Sequence, residues 1–290
     1  GAAEGGGWAP VTPAAADDGI LHLGGDEWYG VLVKPQGLAT MGGVGVTLTS
    51  SHKLLLPDAI KNQIKYKKMH PCHRLDLATG GVMLCSKSKL AERVISRLFM
   101  LKLVRKRYRA IVAGRVEPES GLMDQPLHGK ACATRYQVLS VTRSAQYGWV
   151  TTLDLFPLTG RNHQLRRHLL MKGHPILGDR RYATAAQWPS IDGPMFLWAL
   201  EINFPHPKHC THLVRPHKNN ADADADAQAE DVALGVGPDA QEEEEDGGTE
   251  EFSETQRVNV RIEEPDYYQA YRLQEEAAWK RTSEADDSGV

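Results

Sequence analysis

The chain has 290 residues, 41% of them hydrophobic, enough to bury one sizeable core or two small ones with tails to spare. Its four cysteines, Cys72, Cys85, Cys132 and Cys210, include no C-x-x-C pair, and no apolar run reaches the length of a membrane span; a disulfide framework, a zinc-thiolate site and a transmembrane helix are therefore excluded. The net charge of −3 conceals a division: residues 221–290 hold 22 acidic and five basic side chains, which leaves 15 acidic and 29 basic ones in residues 1–220, a tail near −17 and a body near +14.

Residues 1–19, mostly Gly, Ala, Pro and Asp around a lone Trp8, cannot bury enough apolar area to offset their chain entropy and are expected to form a disordered arm. The start lacks both a Met and the charged-then-apolar layout of a secretory signal, so a soluble protein with reduced thiols and no membrane partner is expected. A catalytic domain is expected over residues 20–218. It should open with the apolar strand Trp28-Tyr29-Gly30-Val31-Leu32-Val33, which the turn Lys34-Pro35-Gln36-Gly37 ends. A second strand, Gly81-Val82-Met83-Leu84-Cys85, follows the run His73-Arg74-Leu75-Asp76. Ser88 is placed to cap a helix whose Leu90, Val94 and Leu98 recur every four residues on one face. Residues 108–112 alternate as a strand, and residues 135–141 and 149–156 read as a hairpin closed by the loop 144–148. After Gly160, residues 162–171 predict a helix that packs by Leu165, Leu169 and Leu170 and ends at Gly173, ahead of Pro175.

Strands outnumber helices and come in irregular order, which predicts an α+β fold. Residues 219–256 are acidic and of low complexity, an expected self-repelling linker. In residues 257–290, Val258, Val260 and Ile262 alternate as a short strand and Pro265 opens a helix bearing Tyr267, Tyr268, Tyr271 and Trp279. This segment is expected to dock, on its own body or on a partner. The acidic tail admits two readings, a stand-in for nucleic acid in a basic groove and a solubilising extension.

The chemistry concentrates in two places. Asp76 sits beside Arg74 on a loop that leads through Thr79-Gly80-Gly81 into a strand; such a carboxylate suits a nucleophile or general base, and equally a surface ion pair. In Thr159-Gly160-Arg161-Asn162-His163-Gln164-Leu165-Arg166-Arg167-His168 the turn into a helix exposes first-turn amides, and Arg161 and Arg166 can fork onto phosphate or carboxylate; a solvated basic face is the alternative. A body near +14 suits a polyanion, since each phosphate neutralised releases counterions. The cluster His206, His209, Cys210, His212 and His217 is too irregular and too interrupted by proline to nominate a metal site, and no metal is expected.

From about Trp28 to Arg215 these segments resemble the RluA-type RNA pseudouridine synthases. Val33-Lys34-Pro35-Gln36-Gly37-Leu38 is similar to the family's N-K-P-x-G-L turn, His73 to Gly81 to its H-R-L-D-x-x-T-S-G motif, and Lys106-Arg107-Tyr108-Arg109-Ala110 to its K-x-Y-x-A strand. Thr159 to His168 is similar to T-G-R-x-H-Q-L-R-x-H, and Gly173-His174-Pro175-Ile176-Leu177-Gly178-Asp179 with Tyr182 to G-H-P-I-L-G-D-x-x-Y. The resemblance implies a mixed, mainly antiparallel central sheet with flanking helices and a catalytic cleft. It implies Asp76 as nucleophile on a flipped uridine, Tyr108 packed against the base and assisting proton removal from C5, and Arg166 paired with Asp76 to keep it ionised. Arg74 would brace the gap left by the flipped base; His73, Lys34 and Lys106, with Arg161, His163, Gln164 and Arg167, would line the RNA. No cofactor is implied.

Two positions depart from the family pattern: Gly80 stands for its Ser, and Trp198 for the His of L-H-A. With the long tails, they motivate an alternative reading as a weak or inactive RNA-binding factor of ribosome assembly. A third reading, glycosidic hydrolysis, lacks a motif nominating the second carboxylate. No S4-like domain is recognised, so target choice is expected to come from the body, the tails or partners. The expected RNA is ribosomal ahead of transfer RNA, with assembly-particle proteins as partners of the C-terminal segment. The expected compartment is mitochondrial or another organelle, with the cytoplasm or nucleus second.

Overall fold

The computed structural model of the protein describes residues 20–40, 69–183, 193–214 and 252–287. The expected arm, most of the acidic linker and His217 lie outside the described residues.

The strands, in chain order, are β1 (Leu21–Gly25), β2 (Tyr29–Lys34), β3 (His70–Pro71), β4 (Gly80–Ser86), β5 (Arg105–Ala113), β6 (Ser120–Met123), β7 (Thr134–Ser144), β8 (Gly148–Pro157), β9 (Leu197–Pro205) and β10 (Arg257–Arg261). Among the described residues, three α-helices accompany them: α1 (Lys89–Met100), α2 (Gln164–Met171) and α3 (Asp266–Asp287). The sheet runs β1-β2-β4-β9-β5-β8-β7-β6. Its β4–β9 contact is parallel and its other pairings are antiparallel, so the predicted mixed α+β sheet is what forms.

Burial on both faces explains why β2 and β4 read as unbroken apolar runs. Val31, Val33, Val82 and Leu84 face a cluster completed by α1, whereas Leu32, Met83 and Cys85 face a second, larger cluster with Leu165 and Leu169 of α2. Ser88 caps α1 as expected, its hydroxyl accepting from Ala91 N at 3.1 Å. The buried face, however, is Ala91, Val94, Ile95 and Leu98; Leu90 is 42% exposed. In α2, Leu170 is likewise only half-buried, and the helix begins two residues later than expected because His163 takes a left-handed φ of 52°.

The C-terminal segment lies on its own body. β10 pairs with β9 from Arg257↔Pro205 to Arg261↔Glu201, continuing the edge that β4 holds at Gly80↔Trp198 and Gly81↔Ala199. The tyrosines of α3 turn inward: Tyr268 is fully buried, and the Tyr267, Tyr268 and Tyr271 rings surround Phe196 at 5.3, 5.1 and 4.8 Å.

Candidate active site

Asp76 occupies the loop between β3 and β4, and the loop is fixed by its backbone. Thr40 Oγ1 donates to Leu75 O at 2.9 Å and accepts from Leu75 N at 3.2 Å. Gly37 N donates to Leu77 O at 2.8 Å, and Thr79 N closes the turn onto Asp76 O at 3.0 Å. With both flanks pinned, the Asp76 side chain projects at 24% exposure.

Arg166 and His163 approach this carboxylate from α2 and its cap. Arg166 is buried and forks onto Asp179, Nε to Oδ2 and Nη2 to Oδ1, both at 2.7 Å; its remaining Nη1 reaches Asp76 Oδ2 at 3.3 Å. Burial opposes the guanidinium's charge, but the hydrogen bonds and charge of Asp179, then those of Asp76, hold its pKa above the ordinary value. The bidentate partner is thus Asp179, which spends the planar fork and leaves one arm for Asp76. Asp179 Oδ1 also accepts from Tyr182 N at 3.2 Å, and the Tyr182 ring lies 4.9 Å from the Arg166 guanidinium. His163 places Nε2 3.6 Å from Asp76 Oδ1 and Nδ1 2.8 Å from the Tyr182 hydroxyl.

Tyr108 lies buried on β5, between Ala199 of β9 and Leu155 of β8. Burial, and secondarily the charge of Asp76, push its phenol pKa well above the usual value, so it is a neutral hydroxyl at physiological pH.

Four side chains expected to line RNA are committed elsewhere. Lys34 is fully buried and donates to Pro35 O at 2.9 Å and Leu38 O at 2.6 Å, clamping the turn against which the active loop rests. Burial lowers its pKa to about 8, against the pull of Asp76. His73 Nε2 accepts from Leu84 N at 3.0 Å; burial, then the charge of Lys106, drives its pKa down to about 3, leaving a neutral ring that joins loop to β4. Lys106 extends over the Phe99 ring at 5.8 Å. Gln164 accepts from Thr159 Oγ1 at 2.8 Å and Arg161 N at 2.9 Å and donates to Ala133 O and Thr134 Oγ1, both at 3.0 Å, so it builds the turn into α2. Lys34, His73 and Gln164 thereby satisfy backbone groups of neighbouring segments, and Lys106 packs on an aromatic ring. Arg74 and Arg161 are exposed and Arg167 is half-buried, with Arg161 Nε lying 3.3 Å from Ala131 O.

Asp179, Tyr182 and Thr40 went unassigned in the sequence. Asp179 and Tyr182 were visible inside G-H-P-I-L-G-D-x-x-Y, whereas nothing around Thr40 signals its contact with Leu75. His206 caps the turn Pro207–Leu213, its Nδ1 accepting from Lys208 N at 3.1 Å and its Nε2 facing Asp26.

The two departures from the pattern meet in space. A Cβ on Gly80 would fall 2.1 Å from Cζ3 of Trp198, its partner in the β4–β9 register. The indole occupies the room that a serine at 80 would need, so the small residue and the large one are complementary.

The family model described as RNA pseudouridylate synthase matches residues 29–171. The chain is 35% identical over 190 residues to the dual-specificity RNA pseudouridine synthase RluA of Vibrio vulnificus (strain CMCP6), covering 60% of this chain and 73% of that protein. It is 34% identical over 218 residues to the RluA of Pasteurella multocida (strain Pm70), covering 69% and 91%. Among solved structures it is similar to human RNA pseudouridylate synthase domain containing 4, with a TM-score of 0.54, 26% identity and coverage of 69% and 94%. Human RNA pseudouridylate synthase domain containing 1 gives the same TM-score at 21% identity and 76% and 97% coverage, a likeness of fold.

Proposed function

The chain belongs to the RluA-type RNA pseudouridine synthases, enzymes that isomerise uridine in RNA, and we propose that Asp76 is the nucleophile through which it does so. The observation that carries this reading is the Asp76–Arg166 contact, in which a guanidinium already forked to Asp179 offers its one remaining arm to a carboxylate on a pinned, partly exposed loop. A cation held at that point fixes the direction of the carboxylate.

In the proposed sequence the target uridine flips out of its stack and Asp76 attacks the ribosyl centre, forming a carboxylate–sugar bond as the N-glycosidic bond breaks. The freed uracil turns, C5 bonds to the sugar carbon, and the carboxylate leaves. Loss of the C5 proton, with a proton gained at N1, completes an isomerisation that consumes nothing. Tyr108 packs against the base. Its phenol becomes easier to ionise once Asp76 is esterified, because one of the two influences that raise its pKa is the Asp76 charge. Arg74, exposed beside the loop, is the side chain available to brace the vacated stack.

The body charge near +14 supports an RNA substrate, which we take to be ribosomal RNA ahead of transfer RNA, and the dual-specificity name of the relatives supports acceptance of more than one target. Action in an organelle is part of the proposal and rests on the low-complexity extensions. The fit of Trp198 over Gly80 accounts for both departures from the pattern and leaves the long tails as the motive for an inactive binding factor. Glycosidic hydrolysis would need a second free carboxylate about 5 Å from the nucleophile, and Asp179 is buried and forked to Arg166. In the decisive experiment, Asp76→Asn protein is incubated with ribosomal RNA from cells lacking the enzyme. Pseudouridine formation should vanish while RNA binding persists; pseudouridine made by the variant would refute the assignment.

A further inference from the structure

Taking Asp76 as the nucleophile, we propose that His163 and Tyr182 form a second positioning pair for that carboxylate. The neutral imidazole presents Nε2–H to Oδ1, and the Tyr182 hydroxyl donates to Nδ1.

The tautomer follows from the two distances. Nδ1 lies 2.8 Å from the Tyr182 hydroxyl, and Nε2 faces Asp76 Oδ1 at 3.6 Å. A carboxylate accepts only, so the proton belongs on Nε2; Nδ1 is then a lone pair, and the phenol, which can donate or accept, must donate. Arg166 holds Oδ2 at 3.3 Å. Asp76 therefore has one oxygen bound to a fixed cation and one guided by a neutral donor that stands slightly too far for a full hydrogen bond. Oδ1 is the oxygen left free to attack.

Two further observations show that His163 is placed for its side chain. It occupies the N-cap of α2 at φ 52°, a conformation uncommon for a residue with a Cβ, and it makes no side-chain cap. The position forgoes both relaxed backbone and a capping side chain, and what it gains is contact with Asp76. Tyr182 is held to match: its backbone N is anchored to Asp179 Oδ1 and its ring packs edge-on against the imidazole at 5.6 Å. Asp179 thus organises both partners of Asp76, Arg166 directly and His163 through Tyr182.

The pair gives the reaction an acid limb. The groups facing the imidazole are Asp76 and Asp179, which favour its protonation, and Arg166 and Arg181, which oppose it; burial is the largest influence and holds the pKa below the ordinary 6.5. Protonation would turn the guide into a cation bound to Oδ1, tying up the attacking oxygen, and would require the Tyr182 hydrogen bond to reverse.

The test measures tritium release from ribosomal and transfer RNA transcripts carrying [5-3H]uridine, from pH 5 to 8, using the full chain. His163→Ala should lower kcat about 10- to 100-fold with KM unchanged. His163→Gln, which keeps an N–H near the position of Nε2 and cannot titrate, should retain most of kcat and lose the acid limb. Tyr182→Phe removes the hydroxyl that stabilises the neutral ring and should move the limb to higher pH. Far-ultraviolet circular dichroism checks the fold of each variant, and the glutamine variant keeps the test decisive if the alanine variant fails to fold. An unchanged kcat in His163→Ala, a rise in KM alone, or an acid limb surviving in His163→Gln would overturn the pair. If those results came with an inactive Asp76→Asn, the nucleophile would stand and only this inference would fall; an active Asp76→Asn would remove its premise instead.

Discussion

At the scale of single residues, the informative pair is Gly80 and Trp198. Taken separately, each breaks a pattern; in register across β4 and β9, each requires the other. Any Cβ at 80 would sit 2.1 to 2.8 Å from three atoms of the indole, closer than packed atoms tolerate. Gly80→Ser alone should therefore destabilise the protein by about 1–3 kcal/mol through overpacking. Trp198→His alone should cost a similar amount through the cavity it opens. The double variant should cost less than the sum, with a coupling of about 1 kcal/mol or more in a urea-unfolding cycle. Strict additivity would mean that the indole has another place to go.

At the scale of elements, the joint between the active loop and β4 depends on a histidine kept neutral. His73 accepts from Leu84 N, and its pKa of about 3 lies below the ordinary 6.5. The unfolded chain therefore binds a proton that the folded chain refuses, and stability falls as pH drops from 6.5 toward 3, with no contribution above 6.5. Because the ring is only partly buried, the loss by about pH 4.5 should be ~1–2 kcal/mol. His73→Gln should be less stable at neutral pH yet show a shallower acid decline, read as the difference in urea midpoints between about pH 7 and pH 4.5. A decline as steep as in the unsubstituted protein would assign the acid sensitivity elsewhere. Elements like this loop show what the sequence could convey. Strands and helices were legible because their periodicity is local, down to the Ser88 cap. Leu90 was misassigned because, at 100° per residue, it stands about 90° from the centre of the Ala91, Val94, Ile95 and Leu98 face. Asp76 as a candidate, and Arg166 as its partner, were legible through their motifs. The contacts that fix them were not, since Arg166–Asp179, Thr40–Leu75 and Gly80–Trp198 join distant positions with no period and no local propensity between them.

At the scale of the whole molecule, the C-terminal segment completes the catalytic body despite the acidic stretch that separates it in sequence. Its attachments argue this. β10 covers the part of the β9 edge beyond the pairing with β4, where unpaired amides would otherwise be exposed. Arg257 donates to Asn203 Oδ1 at 2.6 Å and Leu103 O at 2.8 Å, while Glu264 accepts from Arg109 at 3.0 Å. Tyr268 is fully buried, with its hydroxyl donating to Arg109 O at 3.3 Å, one residue from Tyr108. Tyr267 donates to Gln36 Oε1 at 3.3 Å, and that turn in turn holds the active loop through Gly37 N and Leu77 O. Full burial of Tyr268 alone is worth about 1.5–3 kcal/mol, the partly buried Tyr267 and Tyr271 add to it, and a typical domain has only about 5–15 kcal/mol in total. A chain ending at residue 251 should therefore be insoluble or lose most of its unfolding free energy, and should lose activity with it. A chain ending at residue 251 that kept its midpoint would make the segment a dispensable appendage, and the path from α3 through Gln36 to Asp76 would carry nothing.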